Sequence, residues 1–433
     1  MAKIIDKQRY KCAMSALQTV QAIDHAIPIL HSGPGCAAKL CIEAGTSGHY
    51  SVNVFPCTSI NEKDVVFGGE KKLRSTIENS FKVLDADLYV VLTGCIPEII
   101  GDNTGEIVEE FQMDGKPIVY ASTAGFKSNN YIGHETVLNA VFQQFLEPAE
   151  EKIPGLVNIW ADVPYMDGYW AGNYRALEDL LRKIGLTPNT IFGFDRGIEN
   201  IKKIPQAEFN LLVSSWVGLS NVKTLERKFK TPYLHYPTLP IGATETSKFL
   251  RAVGEFTGAD PSVVEAVIDE GERYFYHYIE RFADIFIENR VMAKKFSVIG
   301  DAQYALGITK FLVNDVGLVP EKQYVVEDVP KKFQEAIAAE FKELNFGIQA
   351  EVSFETDGYK IHQEIKNIDY NGIPLIVGGS WEKDLSEELG AFYLNACWPI
   401  NQDIIMNKSY VGYEGGLTVF EDLYTLAIRS FNA

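Results

Sequence analysis

The sequence predicts an α/β fold with three Rossmann-like domains, each a parallel sheet flanked by helices. With 433 residues the chain is too long for one ordinary core. Short apolar runs rich in β-branched residues alternate with helix-like stretches, and the alternation occurs three times. The predicted domains are 1–150, with 400–433 packing back on it, then 151–293 and 294–399.

The predicted elements follow that order. The first set has strands at 88–92 and 117–122 and helices at 70–83 and 135–147. The second set has strands at 156–161, 190–194, 209–213 and 232–236 and a helix near 171–185. The third set has strands at 296–300, 323–326, 348–353 and 374–378 and helices near 301–313 and 330–343. Two further helices are predicted at 261–293, between the second and third sets, and at about 416–430.

Composition restricts the function classes. Hydrophobic residues make up 46% and charged residues 23%, which is typical of a soluble globular protein. The formal charge of −18 disfavours nucleic-acid and membrane-surface partners. No apolar run approaches the roughly 20 residues of a membrane span, and the charged start MAKIIDKQRYK does not resemble a signal peptide, so we expect a cytoplasmic protein. Six cysteines are too few for a disulfide scaffold and predict thiols or metal ligands.

Two of three candidate cysteines stand where such sheets bind ligands, beyond the carboxyl ends of strands. Cys95 follows the run 88–92 after a glycine. Cys36 ends the turn HSGPGC behind the apolar run 26–30, and Cys12 lies just ahead of a helical stretch. Thiolates are the donors that iron–sulfur clusters need. No CxxC pair occurs, however, and scattered cysteines are also common as small buried hydrophobes, so spacing alone leaves both interpretations open.

The residues around these cysteines favour one interpretation. HSGPGC (31–36), NEKDVVFGGEKKL (61–73) and GCIPEIIGDN (94–103) occur in this order and closely resemble the first domain of the nitrogenase component 1 family. PTLPIG (237–242) and VGYEGGLTVFEDL (411–423) resemble later segments of the same family. The resemblance therefore extends over most of the chain.

The resemblance implies a site, a cofactor and partners. In the family, two related subunits each supply three cysteines to an electron-relay cluster at their interface, and the matching positions are Cys12, Cys36 and Cys95. The cluster would be an 8Fe-7S P-cluster or a 4Fe-4S cluster. Ser128 lies near the place where some β-type subunits have a redox-dependent serine ligand. The implied partners are an α-like subunit, in a heterotetramer with two copies of each chain, and an ATP-dependent iron protein.

The resemblance also indicates the subunit type. Catalytic subunits bind the active-site cofactor through a cysteine, expected here at the strand end within 211–216, and a histidine, expected near 394–398, and neither residue is present. Trp398-Pro399-Ile400 resembles β-type subunits, although 67–73 and 125–128 resemble α-type subunits more. The leading hypothesis is a β-type electron-transfer subunit of a nitrogenase or nitrogenase-like reductase. The alternatives are a cofactor-assembly scaffold, or a reductase of methylthio compounds or tetrapyrroles.

The remaining candidates have structural interpretations. Cys57 is not expected to ligate, and Cys41 and Cys397 are expected to pack.

Three polar residues near the cysteines each have more than one interpretation. His31 either packs or hydrogen-bonds a cluster sulfide. Glu98 and Asp102 either fix the backbone of the Cys95 loop, face a docking reductase, or are solvated or capping residues.

Overall fold

The computed structural model describes residues 5–49, 55–289 and 293–431. Its strands are β1 (Ala26–His31), β2 (Leu88–Thr93), β3 (Ile118–Ser122), β4 (Ile153–Trp160), β5 (Thr187–Asn189), β6 (Ala207–Val213), β7 (Tyr233–Tyr236), β8 (Lys295–Gly300), β9 (Val319–Pro320), β10 (Gln323–Val325), β11 (Val352–Phe354), β12 (Leu375–Gly378) and β13 (Phe392–Asn395). In these described ranges the strands form three sheets, ordered β1-β2-β3, β5-β4-β6-β7 and β11-β10-β8-β12-β13, with β9 beside β8. Every pairing between these strands is parallel, which confirms the predicted fold class.

The helices flank these sheets. Those of the first domain are α1 (Leu17–Gln21), α2 (Pro34–Glu43), α3 (Glu62–Phe67), α4 (Glu70–Val83), α5 (Cys95–Ile100), α6 (Thr104–Met113) and α7 (Asn130–Gln144). Those of the second are α8 (Trp170–Lys183), α9 (Ile198–Lys203), α10 (Leu219–Phe229), α11 (Gly242–Thr257) and the long α12 (Pro261–Asn289). The rest are α13 (Ala302–Asn314), α14 (Lys331–Glu340), α15 (Gly358–Lys366), α16 (Lys383–Leu389) and α17 (Gly412–Phe431). Short 3₁₀ turns occur at Ala13–Ala16, Ala44–Thr46, Ile204–Gln206, Asn345–Gly347 and Ser380–Glu382.

The strand pattern follows from burial. All residues of β2 are buried, since this central strand is covered on both faces, and its continuous apolar sequence is typical of such a strand. The predicted strand at 190–194 is wrong, because the strand β5 lies just before it. Ile191 and Phe192 are buried, but they pack from a loop that turns at Gly193, where φ is 107°, and at Asp195, where φ is 58°.

The end of the chain contacts more than one domain. The backbone N–H groups of Gly48 and Ile400 donate to Ile400 and Thr46 carbonyls at 2.7 and 2.8 Å, so the segment before α17 pairs with the first domain. Helix α17 itself packs against α11 and α12. The predicted domain boundaries stay a prediction. Within the described part of the chain, no helix combines the length and apolar character needed to cross a bilayer.

Gly416 lets α17 approach α11 closely. A Cβ at Gly416 would lie 2.5 Å from Gly242 Cα and 3.0 Å from Phe275 Cε2. We therefore expect Gly416→Ala to lower the free energy of unfolding by about 1–3 kcal/mol through overpacking. Without the close contact, alanine in place of glycine would stabilise a helix interior by about 1 kcal/mol, so a loss of stability would indicate overpacking. Urea denaturation of the variant and the wild type measures the change in the free energy of unfolding.

Gly105 in α6 is the matched control. A Cβ there would meet Tyr120 at 3.8 Å, an ordinary contact. Gly105→Ala should not destabilise the protein, and a stabilising Gly416→Ala would contradict the close packing of α17 on α11.

Candidate functional site

The loops after the strands of the first sheet meet at one edge. The register pairs His31 with Thr93 and Thr93 with Ser122, so β1, β2 and β3 end side by side. Cys36 lies in the first turn of α2, just beyond β1, and Cys95 is the first residue of α5, just beyond β2. Both cysteines therefore lie at the carboxyl edge of the sheet, as the sequence predicts.

Cys12 reaches the same edge from the start of the chain. Its backbone forms an antiparallel bridge with Asn129, in the loop that follows β3. A Cβ on Gly125 of that loop would lie 2.4 Å from Cys12 Sγ and 3.7 Å from Cys95 Sγ. Only glycine leaves room for the Cys12 sulfur at this position, and the two sulfur atoms lie close to the same point.

The thiols also interact electrostatically. Cys12 is exposed, and Cys36 and Cys95 are half-buried. Desolvation by the surrounding protein raises the pKa of Cys12, the backbone of Met14 opposes this through a hydrogen bond, and the negative charges of Cys95, Cys36 and Glu43 raise the pKa further. Bringing these thiolates together costs electrostatic free energy that a cation would offset.

Ser128 lies in the same loop, half-buried and immediately before Asn129. The structure therefore places Cys12, Cys36, Cys95 and the Ser128 loop at one edge of the first sheet. Among the described residues, no group of three or more His, Cys, Asp and Glu side chains could hold a single metal ion. That these residues bind a cluster stays a prediction.

Asp102 joins three of the sequence motifs into one unit, which we call the Asp102 clasp, formed by Asp102, His31, Thr58 and Gly69. The Gly69 N–H donates to both carboxylate oxygens of Asp102, at 2.9 and 3.1 Å, and His31 Nε2 lies 3.0 Å from Oδ2. His31 Nδ1 lies 3.2 Å from Thr58 Oγ1. Burial lowers the pKa of His31 although Asp102 acts to raise it, so a neutral ring with its proton on Nε2 fits both contacts.

The contacts of the clasp favour a structural role for both His31 and Asp102. Both ring nitrogens of His31 have protein partners, so His31 supports the turn before Cys36 and is not free to donate to a sulfide. Asp102 is almost fully buried and fixes the loop behind Cys95.

Glu98 also fixes the loops behind Cys95. Its carboxylate accepts hydrogen bonds from Ser122 Oγ and Lys127 Nζ, both at 2.6 Å, and from Thr93 Oγ1. Partial burial acts to raise the pKa of Glu98, but these three hydrogen bonds outweigh it and lower the pKa. Glu98 thereby ties the ends of β2 and β3 to the loop that carries Ser128.

The other cysteines differ in their surroundings. Cys397 is buried against Gly300, as predicted. The packing prediction for Cys41 is wrong, because its side chain faces outward from α2 and is exposed. Cys57 is half-buried, and its sulfur lies 3.5 Å from the Ser32 carbonyl oxygen and 3.4 Å from the Ser59 nitrogen.

An exposed apolar rim, which was not predicted from the sequence, lies on the elements around the cysteine edge. Its side chains are all more than half exposed, and they are Ile42, Val66, Phe67, Ile99 and Phe126. They lie on α2, α3, α5 and the loop after β3, the elements that carry or adjoin the cysteines. Exposed apolar side chains grouped in this way mark interaction surfaces. Their signal in the sequence was a few large apolar residues within polar helices and loops.

The segment after β6, where the resemblance implies a cofactor-binding cysteine in catalytic subunits, leaves almost no empty space. Ser214, Ser215 and Trp216 line a cavity of about 10 Å³, roughly the space of one water molecule. The Trp216 indole is buried and donates to Glu327 Oε1 at 3.0 Å. Burial, together with the charge of Asp301, raises the pKa of Glu327 to about 8.

Comparisons with known proteins agree on one family. A family model described as nitrogenase component 1 type oxidoreductase matches residues 12–428. The nitrogenase molybdenum-iron protein beta chain of Clostridium pasteurianum is 25% identical, over 95% of this chain and 90% of that one. The corresponding beta chain of Methanococcus maripaludis is 24% identical, over 95% of this chain and 91% of that one. The solved structure of nitrogenase Cp1 at pH 6.5 superposes with a TM-score of 0.82 at 20% identity, covering 100% of this chain and 94% of that one, and shares its fold.

The Asp102 clasp predicts a stability effect. Asp102→Ala should lower the free energy of unfolding by about 2–4 kcal/mol, because it leaves the buried His31 ring and the Gly69 N–H without an acceptor. Asp102→Asn keeps one acceptor oxygen and should cost less. Urea denaturation of the two variants tests this, and equal stability of Asp102→Ala and the wild type would refute the clasp.

Glu327 predicts a dependence of stability on pH. Because its pKa is raised in the folded state, the folded protein keeps a proton that the unfolded chain releases. Stability contributed by this group is therefore complete at low pH and is lost as the pH rises toward 8. Glutamine at position 327 has no proton to release. The free energy of unfolding of Glu327→Gln minus that of the wild type should therefore be about 1–3 kcal/mol more favourable at pH 8 than near pH 5.

Denaturation at several pH values measures this difference. The control is Glu110→Gln, because Glu110 lies at the surface beside Arg74, which lowers its pKa. That variant should keep the wild-type slope between pH 5 and 8, and a Glu327→Gln variant with the same slope would contradict the assignment.

Proposed function

Because the chain belongs to the nitrogenase component 1 type oxidoreductase family, we propose that it is a β-type subunit of a nitrogenase or nitrogenase-like reductase. Its role in this proposal is to hold an interfacial iron–sulfur cluster on the path of electrons from an ATP-dependent iron protein to a metallocofactor in an α-like partner. The observation that carries the proposal is the convergence of Cys12, Cys36 and Cys95 at one edge of the first sheet.

The donor set fits an iron–sulfur cluster shared between chains. Cys12, Cys36 and Cys95 would hold it, with Ser128 as a further oxygen ligand from the adjoining loop. Three thiolates leave a 4Fe-4S cube one ligand short, and two sets of three suit an 8Fe-7S cluster. When bound, the cluster supplies a one-electron carrier whose potential depends on thiolate count, burial and hydrogen bonds to sulfur.

The exposure of the cysteines supports a site completed by a partner. Cys12 is exposed in this chain and the other two are half-buried, so a cluster on them would face outward. The apolar rim around this edge would be covered by the α-like partner and by the docked iron protein, and contact with partners would remove it from water. A heterotetramer of two α-like and two β-like chains is part of the proposal.

The filled space after β6 supports the β-type assignment. A metallocofactor would need far more room than the cavity of about 10 Å³ beside Trp216. The curated relatives reported above are beta chains as well. In the proposal this chain binds the relay cluster and supports its partner, and the substrate is reduced in the α-like partner subunit.

The test is iron content and electron paramagnetic resonance of the anaerobically purified complex. Cys36→Ala, Cys95→Ala and Cys12→Ala should each lose iron or change the cluster signal, because each removes a thiolate ligand. Cys41→Ala, on the same helix as Cys36 but exposed and outside the site, is the matched control and should behave like the wild type. Fewer than about three irons per chain would favour a 4Fe-4S cluster over an eight-iron cluster.

A wild-type complex that contains no iron, with cysteine variants that behave identically to it, would end the proposal. Iron that is present but is not reduced by the iron protein would favour the scaffold alternative.

A further inference from the structure

The start of the chain crosses from the third domain to the first, and we call residues 5–12 the N-terminal strap. At its beginning the Gly358 N–H, at the start of α15, donates to the Asp6 carbonyl oxygen at 2.8 Å. At its end the Lys11 N–H donates to Asn130 Oδ1 at 2.7 Å, and the Asn130 N–H returns a bond to the Lys11 carbonyl at 3.1 Å. Cys12 is the last residue of the strap.

A buried ion pair fastens the strap to the third domain. Arg9 Nη2 donates to Glu382 Oε1, and the two side chains are 1% and 0% exposed. The guanidinium lies 4.6 Å from the ring centroid of Trp381. Glu382 also accepts from His362 Nε2 at 3.0 Å and from the Gly379 N–H at 2.9 Å.

These contacts keep Glu382 ionised. Burial acts to raise the pKa of Glu382, but the charge of Arg9, followed by the hydrogen bond and charge of His362, lowers it overall. A charged pair taken out of water in this way is costly to break, because either partner alone would be left uncompensated.

The ion pair lies close to the thiol along the chain. Two residues, Tyr10 and Lys11, separate Arg9 from Cys12, so their Cα atoms are at most about 11 Å apart even in a fully extended chain. Between them Lys11 is buried and donates to Gln18 Oε1 at 3.1 Å and to the Tyr165 carbonyl at 3.3 Å. Any coupling along the chain between Arg9 and Cys12 therefore runs through Tyr10 and the anchored Lys11.

Cys12 depends on the strap more than the other two cysteines do. Cys36 and Cys95 lie in helices next to the Asp102 clasp, within the first domain. Cys12 is held by backbone contacts, the bridge to Asn129 and the bond from the Ser15 N–H to its carbonyl at 2.9 Å. Gly125 beside it offers no side chain.

We propose that the Arg9–Glu382 ion pair positions Cys12, so that the third domain controls whether the third thiolate meets the other two. The consequence for the cluster rests on the function proposed above, whereas the position of the strap can be measured without iron. Arg9 and Glu382 touch no reacting group, and they are positioning residues.

Hydrogen exchange of the full chain, followed by mass spectrometry, tests the position of the strap. In Arg9→Met and Glu382→Gln, peptides that cover 9–15 should exchange about tenfold faster or more than in the wild type, because the anchor opens more often. Peptides that cover 31–43 and 94–100 should not change. Arg9→Lys keeps the charge and should give a smaller increase, and it remains informative if Arg9→Met does not fold.

Lys310→Met is the matched control. Lys310 is a largely buried cation of the third domain that lies 2.7 Å from Glu340, far from the strap in sequence. This variant should lower the melting temperature without accelerating exchange at 9–15. Faster exchange of those peptides in Lys310→Met, or unchanged exchange in both Arg9→Met and Glu382→Gln, would overturn the inference.

The iron-loaded complex gives the second readout. Arg9→Met should shift the midpoint potential and the resonance signal in the same direction as Cys12→Ala. Arg9→Lys should give values between those of Arg9→Met and the wild type. Lys310→Met should leave the potential and the signal unchanged. An unchanged potential in Arg9→Met would overturn the link to the cluster. A strap that loosens in a protein without iron would instead preserve the inference about Cys12 and reject the proposed function.

Discussion

The carboxylate of Asp102 is the interaction on which the cysteine edge depends. A buried carboxylate is expensive unless donors surround it, and here the Gly69 N–H and the His31 ring supply them. These contacts join the end of β1, the junction of α3 and α4, and the loop after α5. The glycine is required because a Cβ at Gly69 would lie 2.6 Å from Asp102 Oδ2. Three separate motifs of the sequence are therefore parts of one hydrogen-bonded unit.

Much of the fold could be predicted from the sequence because burial on both faces leaves a continuous apolar run. Such runs predict β2 and β3, and apolar residues at helical spacing predict α4. The apolar stretch at 190–194 misled the prediction, since Ile191 and Phe192 are buried in a loop, and periodicity cannot distinguish a buried loop from a short buried strand.

The site could be predicted only in part. Local sequence places Cys36 and Cys95 behind strands, and parallel strands bring their ends together. The position of Cys12 depends on a bridge to Asn129, more than a hundred residues away, which no local pattern contains. The outward orientation of Cys41 and the roles of His31 and Asp102 also depend on tertiary contacts.

The three cysteines thus have two kinds of support. Cys36 and Cys95 are held by the first domain, whose clasp and Glu98 network are complete within this chain. Cys12 is held by a strap that ends in the third domain, and desolvation first, then the charges of Cys95 and Cys36, raises its pKa. Repulsion between thiolates favours their separation unless something holds them together, and in the proposed arrangement the buried Arg9–Glu382 pair adds an anchor from outside the first domain. The geometry of the edge is therefore a property of the whole chain, although its motifs lie almost entirely in the first domain.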